Sequence, residues 1–227
     1  MSDDARPIVI EVAGPAGAGK SAVVAALTAR DPTILAFRHL RKAASVWLLS
    51  KHAVATLKAA PSIVADSPLA AWTVTRLVAR LGVLRDLVRH ETEQPWKAIV
   101  LDEGPLYTLA MLRARVRNGH LVAACERALA EWAGTLDLIV WLDAADSVLA
   151  HRIRSRAKDH EVKDREMPAI SEYLARHRAW LGDAAARLTA QPGVRLLTFR
   201  TEDESPDRLA ERVLGAVGEA GSHAGVR

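Results

Sequence analysis

The segment Gly14-Pro-Ala-Gly17-Ala-Gly19-Lys20-Ser21 constrains this chain more than any other. A β-branched run, Ile8 to Ala13, leads into it, and an Ala/Val-rich stretch with helical composition, Ser21 to Ala29, leads out. Glycines at these positions let the backbone curl so that its N–H groups point inward. The N-terminus of the following helix adds a dipole that favours negative charge. A strand, such a loop and a helix in this order imply a parallel sheet with helices packed over it.

The loop fits G-x-x-x-x-G-K-[ST] at every fixed position, the pattern of a phosphate-binding P-loop. Gly14, Ala16, Gly17, Ala18, Gly19, Lys20, Ser21 and Ala22 are the expected contacts to a nucleoside triphosphate, with ATP the expected donor. Lys20 reaches the β- and γ-phosphates, and the Ser21 hydroxyl ligates Mg2+. Pro15 lacks an N–H but lies before the tightest part of the cradle. The alternative, a chance glycine-rich turn, does not account for the strand before and the helix after.

The rest of the chain alternates strand and helix. Strands are expected at Thr33 to Phe37, Trp96 to Leu101, Leu136 to Leu142 and Val194 to Phe199. Helices are expected from Lys42 to Lys58, Pro68 to Thr92, Leu106 to Val116, Leu121 to Trp132, Ile170 to Thr189 and Pro206 to Val217, with Asp146 capping another that runs into Arg152–Lys158. The fold class is therefore α/β: three layers, a five-stranded parallel sheet with helices on both faces, and a lid segment. A length of 227 residues suits one such domain. The Gly- and Ala-rich tail, 218–227, is expected to fray. In these sheets ligands bind beyond the carboxyl ends of the strands, and the chemistry-bearing residues fall there.

Ala98 to Leu101 is apolar and ends in Asp102-Glu103-Gly-Pro105. This is a Walker B pattern, in which a strand beside the P-loop strand delivers an Asp, here Asp102, to the magnesium shell. Glu103 is placed to accept the proton of an attacking hydroxyl or to orient a water. Gly104-Pro105 turns the chain and leaves both carboxylates near the loop. Asp143 is the competing acidic candidate, but with Asp146 it is explained by the start of a helix. Farther on, Arg152, Arg154, Arg156, Lys158, His160, Lys163 and Arg165 crowd together. Arg152 and Arg156 share a helical face at i,i+4 spacing. One reading is a solvated charged helix. The other is a lid that sets guanidinium groups on a transferring phosphoryl group, a role worth about 10³–10⁵ in rate. The position, after the strand that follows Walker B, favours the lid.

Composition narrows the classes further. The net charge is only +4, which suits anionic small molecules as well as nucleic acid and decides nothing alone; no nucleic-acid partner is expected. Aromatics make up 4% and are mostly tryptophan, which gives no base-stacking surface of the RNA-binding kind. Cys125 is the single cysteine, so neither an intrachain disulfide nor a multi-cysteine metal site can be built. The polar, charged start is unlike a signal peptide, and no apolar stretch is long enough for a membrane span, so a cytoplasmic location is expected.

In the order of these parts the chain resembles the nucleoside and nucleotide kinases of the P-loop class, and most of all the thymidylate kinases. The resemblance spans about residues 8–205. It rests on the P-loop, the strand ending in Asp102, the strand at 136–142, and the run Leu142-Asp143 through Arg152-Ile153-Arg-Ser-Arg156. It implies an ATP- and Mg2+-dependent phosphotransferase with Lys20, Asp102, Glu103, Arg152 and Arg156 in catalytic roles. It also implies acceptor-binding helices at 38–95, adenine contacts near Thr201-Glu-Asp203, and a homodimer. Where that family has an Arg-Glu-Pro-Gly-like segment after the second strand, this chain has Arg38-His39-Leu-Arg41-Lys42, whose Arg38, Arg41 and Lys42 keep the positive charge to hold an anionic acceptor. The chain departs from that family where it has Asp-Glu-Gly-Pro in place of Asp-Arg. A Glu there suits a hydroxyl acceptor, which must lose a proton, whereas an acceptor phosphate is already ionised. Trp47 and Trp72 are expected to fill core. The alternative functions are an NTPase or nucleotide-dependent regulatory protein, and a binding module without catalysis. The chain lacks an Asn-Lys-x-Asp guanine signature and a Leu-Ser-Gly-Gly-Gln segment, which disfavours a GTPase and a transporter ATPase.

Overall fold

A computed structural model describes residues 6–37, 68–113, 119–157 and 159–224. The expected helix over 42–58, together with Arg38, Arg41 and Trp47, lies outside them. So does Lys158, and of the Trp72 side chain nothing is described.

Five strands form one parallel sheet: β1 (Ile8–Ala13), β2 (Ile34–Phe37), β3 (Ala98–Asp102), β4 (Leu138–Asp143) and β5 (Arg195–Arg200). Their order is β2-β3-β1-β4-β5, with β1 central. Ile10 pairs with Val100 on one side and with Leu138 on the other. The inner strands are apolar at nearly every position, which burial on both faces requires.

Seven helices are described: α1 (Lys20–Arg30), α2 (Pro68–Glu91), α3 (Pro105–Arg113), α4 (Gly119–Ala133), α5 (Asp146–Ser155), α6 (Met167–Thr189) and α7 (Pro206–Ala224). Strand alternation divides the core in two. Ile10 and Val12 face Val24 and Leu27 of α1 and Leu209 and Val213 of α7. Val9 and Ala13 face the other way, into a layer with Leu84 of α2, Leu106 and Leu109 of α3, Trp132 of α4 and Leu181 of α6. Trp132 is 1% exposed, so it fills core.

Three expected boundaries move. Asp146 is the first residue of α5 and makes no capping bond, because Ala145 is the N-cap. Its carboxylate instead accepts from Arg178 Nη1 at 2.6 Å. Helix α5 stops at Ser155, and Arg156 is extended at φ −75° and ψ 147°, so Arg152 and Arg156 do not share a helical face. Helix α7 runs to Ala224, past the expected end at Val217. Its Val213, Ala216 and Val217 are buried against the sheet layer, and that burial offsets the low helix propensity of its glycines.

Strand order reverses at β1: the chain goes from β1 outward to β2 and β3, then returns past β1 to β4 and β5. A crevice opens at such a switch point beyond the carboxyl ends of the strands. The loop after β1, the turn after β3 and the end of α5 all meet there.

Candidate phosphate-binding site

Backbone conformation explains the glycines of the loop. Gly14, Gly17 and Gly19 have φ of 142°, 83° and 85°. A Cβ on Gly14 would stand 2.0 Å from the Leu142 carbonyl oxygen, so the loop leaves β1 pressed against the backbone of β4. A Cβ on Gly17 would meet the Leu149 carbonyl oxygen of α5 at 2.8 Å, whereas Gly19 faces open space. Gly19 is the N-cap of α1, which aims the helix's first N–H groups at the crevice.

The crevice is a cavity of about 730 Å³. Its floor is the loop, from Gly14 to Ala22. Ala18 is the exception: its side chain is fully buried in the core, and its N–H donates to the Pro15 carbonyl at 3.3 Å. Lys20 folds over the loop and donates from Nζ to the carbonyls of Gly14 (2.8 Å) and Pro15 (3.0 Å). Burial pulls its ammonium below the ordinary lysine value. The carboxylates of Asp102 and Glu103 oppose that shift and the Arg156 guanidinium adds to it. Those causes place two carboxylates and an arginine around one ammonium.

Asp102 ends β3, and β3 pairs directly with β1. Ser21 Oγ donates to Asp102 Oδ2 at 2.8 Å across 81 residues of sequence. Two hard oxygen donors side by side fit Mg2+, which takes few protein ligands and completes its octahedron with water and phosphate. Among the described residues no group of three or more His, Cys, Asp or Glu could hold a metal by itself.

Glu103 also lines the cavity. It is the one non-glycine residue with positive φ among those described, at 62°. Such a conformation costs of order 1–3 kcal/mol and needs support from its surroundings. Support comes from Arg80 of α2, whose Nη2 donates to the Glu103 carbonyl at 2.5 Å and stands 3.9 Å from the Glu103 carboxylate.

The basic segment divides by position. Arg152 and Arg156 line the cavity. Arg152 is committed to its flank, donating to Thr201 Oγ1 (2.7 Å), the Thr201 carbonyl (2.9 Å) and the Gly17 carbonyl (3.4 Å). It ties the loop to the segment after β5. Arg156, released by the end of α5, is held through its backbone carbonyl by Lys163 Nζ at 2.8 Å, and its buried Nε has no hydrogen-bond partner. Arg154 turns away and donates to the Arg165 carbonyl at 3.0 Å. Asp143, the competing acidic candidate, receives three bonds from Arg178, of 2.9 to 3.1 Å. Arg178 also reaches Asp146 and the Ala144 carbonyl, and so pins the start of the helix that carries Arg152.

The cavity is also lined by Tyr107 of α3, Tyr173 and His177 of α6, and His160 between α5 and α6. Tyr173 and His177 stack with ring centroids 3.9 Å apart, and His160 meets Tyr173 edge-on at 5.2 Å. Burial, then the Glu161 carboxylate, push the Tyr173 phenol above its ordinary value. Sequence reading did not single out Tyr107, Tyr173, His177 or Arg178, since they become neighbours only through α3 and α6. Glu11 was missed as well. It is wholly buried in β1, and its one visible signal was a lone acid inside an apolar strand.

Among the described residues no helix is long and apolar enough to cross a membrane. No family profile matches the chain, and no curated protein does. Among solved structures it is similar to the YorR protein of Bacillus subtilis, solved in complex with phosphorylated GDP. The two share 15% identity at a TM-score of 0.52, over 92% of this chain and 95% of that one. That likeness shows the fold: a five-stranded parallel sheet with helices on both sides, consistent with the P-loop NTPase class.

Proposed function

We propose that the protein is a Mg2+-dependent phosphotransferase that moves the γ-phosphoryl group of a nucleoside triphosphate, ATP by expectation, to a small acceptor. The observation that carries this reading is the convergence on one cavity of Lys20, the Ser21–Asp102 pair at 2.8 Å, Glu103 and Arg156. A structural neighbour solved with a phosphorylated guanine nucleotide is in keeping with nucleotide binding.

The roles follow from position. The loop N–H groups of Gly17, Gly19, Lys20 and Ser21 cradle the phosphates. Lys20 exchanges its two carbonyl partners for phosphate oxygens, a trade its weakened ammonium hydration favours. Ser21 and Asp102 hold Mg2+, which would neutralise the phosphate charge. Arg156 lines the cavity near enough to Lys20 for their charges to interact, and its Nε lacks a hydrogen-bond partner, so it is assigned to the transferring group. Arg152 stays on the nucleotide flank with Thr201. Glu103 accepts the acceptor's proton, which favours a hydroxyl over a phosphate acceptor. The rings of Tyr107, Tyr173 and His177 supply a wall for a nucleoside-like acceptor, in keeping with the thymidylate-kinase-like order of the parts.

The test is transfer of labelled γ-phosphate from ATP or GTP, with Mg2+, to a panel of nucleosides, nucleotides, sugars and other hydroxyl compounds. Label on an acceptor supports the proposal. Inorganic phosphate released at the same rate with or without any acceptor supports an NTPase instead. Arg156→Ala is expected to slow transfer at least 10²-fold. Arg152→Ala is expected to weaken triphosphate binding more than it slows turnover.

A further inference from the structure

Glu11 is a carboxylic acid with no solvent exposure in the central strand, on the face it shares with Val9 and Ala13. Nothing in the phosphoryl-transfer roles uses it. A buried acid needs hydrogen-bond donors, and it finds them in the turn that follows β3. Its Oε2 accepts the Leu106 N–H at 2.7 Å and its Oε1 the Tyr107 N–H at 3.1 Å. These N–H groups belong to the first turn of α3, where no intrahelical partner exists and the dipole favours an anion.

The packing around this contact leaves no slack. A Cβ on Gly104 would stand 2.8 Å from the Glu11 carboxyl carbon and 2.9 Å from its Oε2. Glycine at 104 is therefore what lets the turn descend onto the acid. The residue before it is Glu103, with its positive φ and its carbonyl held by Arg80. The same Arg80 lies close enough to Glu11 to favour its ionised form. The turn is thus gripped twice: by Arg80 at Glu103, and by Glu11 at Leu106 and Tyr107. Its outward side chains, Glu103 and Tyr107, both line the cavity.

We propose that Glu11 is a positioning residue, whose two backbone hydrogen bonds fix the turn from Glu103 to Tyr107 and so aim the Glu103 carboxylate at the acceptor. This rests on the phosphotransferase reading above. Glu11 lies in the strand that ends in the phosphate loop, so one rigid element sets both the donor cradle and the acceptor-side carboxylate. Misplacing a reacting group by about 1 Å can cost 10²-fold in rate.

Glu11→Gln keeps the shape but offers one acceptor oxygen where two are used. The expected result is a 10- to 100-fold fall in kcat with the triphosphate Kd changed less than about twofold. In a double-variant cycle, Glu11→Gln added to Glu103→Gln slows transfer no further than Glu103→Gln alone, because both act through one carboxylate. Gly104→Ala displaces the Glu11 carboxyl while leaving it in place chemically. It serves as the second variant should Glu11→Gln fold poorly, with the same expected split between kcat and Kd. A wild-type kcat in Glu11→Gln, penalties that multiply in the double variant, or a Glu103→Gln variant of undiminished rate would each overturn the positioning role. A wild-type protein that transfers to no acceptor overturns the reading beneath it, and the role with it.

Discussion

Replacing Glu11 with Gln is expected to change how stability depends on pH, in a direction the structure fixes. Burial raises the Glu11 carboxyl from an ordinary 4.5 to about 7, outweighing the N–H groups of Leu106 and Tyr107 and the Arg80 charge, which all pull it down. Between those two values the folded chain holds a proton that the unfolded chain has released. Unfolding free energy therefore falls as pH rises. The contribution is fully present below about 4.5 and is lost as pH climbs through about 7. At 1.36 kcal/mol per pH unit the loss comes to roughly 3 kcal/mol. Gln cannot ionise and carries no such slope. The stability of Glu11→Gln minus that of wild type is thus expected to grow by roughly 3 kcal/mol from pH 4.5 to pH 8, with contributions from all other groups cancelling. Urea unfolding followed by tryptophan fluorescence measures both proteins across that range. A difference that stays flat with pH refutes the reasoning. One that shrinks as pH rises shows the helix N-terminus and Arg80 prevailing over burial.

Two further predictions separate sterics from charge. Gly14→Ala forces a Cβ to within 2.0 Å of the Leu142 carbonyl oxygen, backbone against backbone, whereas Gly19→Ala meets nothing within 4 Å and pays only for its φ of 85°. Gly14→Ala is expected to cost more than 3 kcal/mol or abolish folding, and Gly19→Ala about 1–2 kcal/mol, read as shifts in thermal midpoint. Arg178→Ala leaves Asp143 and Asp146 side by side without their cation. These groups are partly solvated, so the expected loss is about 1–3 kcal/mol, and Arg178→Lys restores little because it lacks the planar fork. Denaturant midpoints of the two variants give the comparison.

The parts legible from sequence were those set by neighbours along the chain. The loop at Gly14–Ser21 carries its own conformational signature, and the apolar strand before Asp102 announces a carboxylate at a strand end. The five strands follow from apolar runs a few residues long, and the helices between them from composition. What was not legible depends on contacts between distant segments. Asp146 has the chemistry of a cap, but Arg178, 32 residues away, takes its carboxylate. The i,i+4 spacing of Arg152 and Arg156 suggests a shared face, yet the helix ends between them. Arg156 lines the cavity from an extended backbone just past the helix end instead. Glu11 was visible as an acid among β-branched residues, but its partners lie 95 and 96 residues on. The rings lining the cavity come from two helices and the segment between α5 and α6, and no local pattern joins them.

The most direct test of the account is an equilibrium titration of a non-hydrolysable ATP or GTP analogue, with and without Mg2+, on wild type and Lys20→Ala. The account predicts Mg2+-dependent saturation of wild type at one site and at least about tenfold weaker binding by Lys20→Ala. Unchanged affinity in Lys20→Ala, or no binding by wild type, would contradict the assignment of the Gly14–Ser21 loop on which every other role depends.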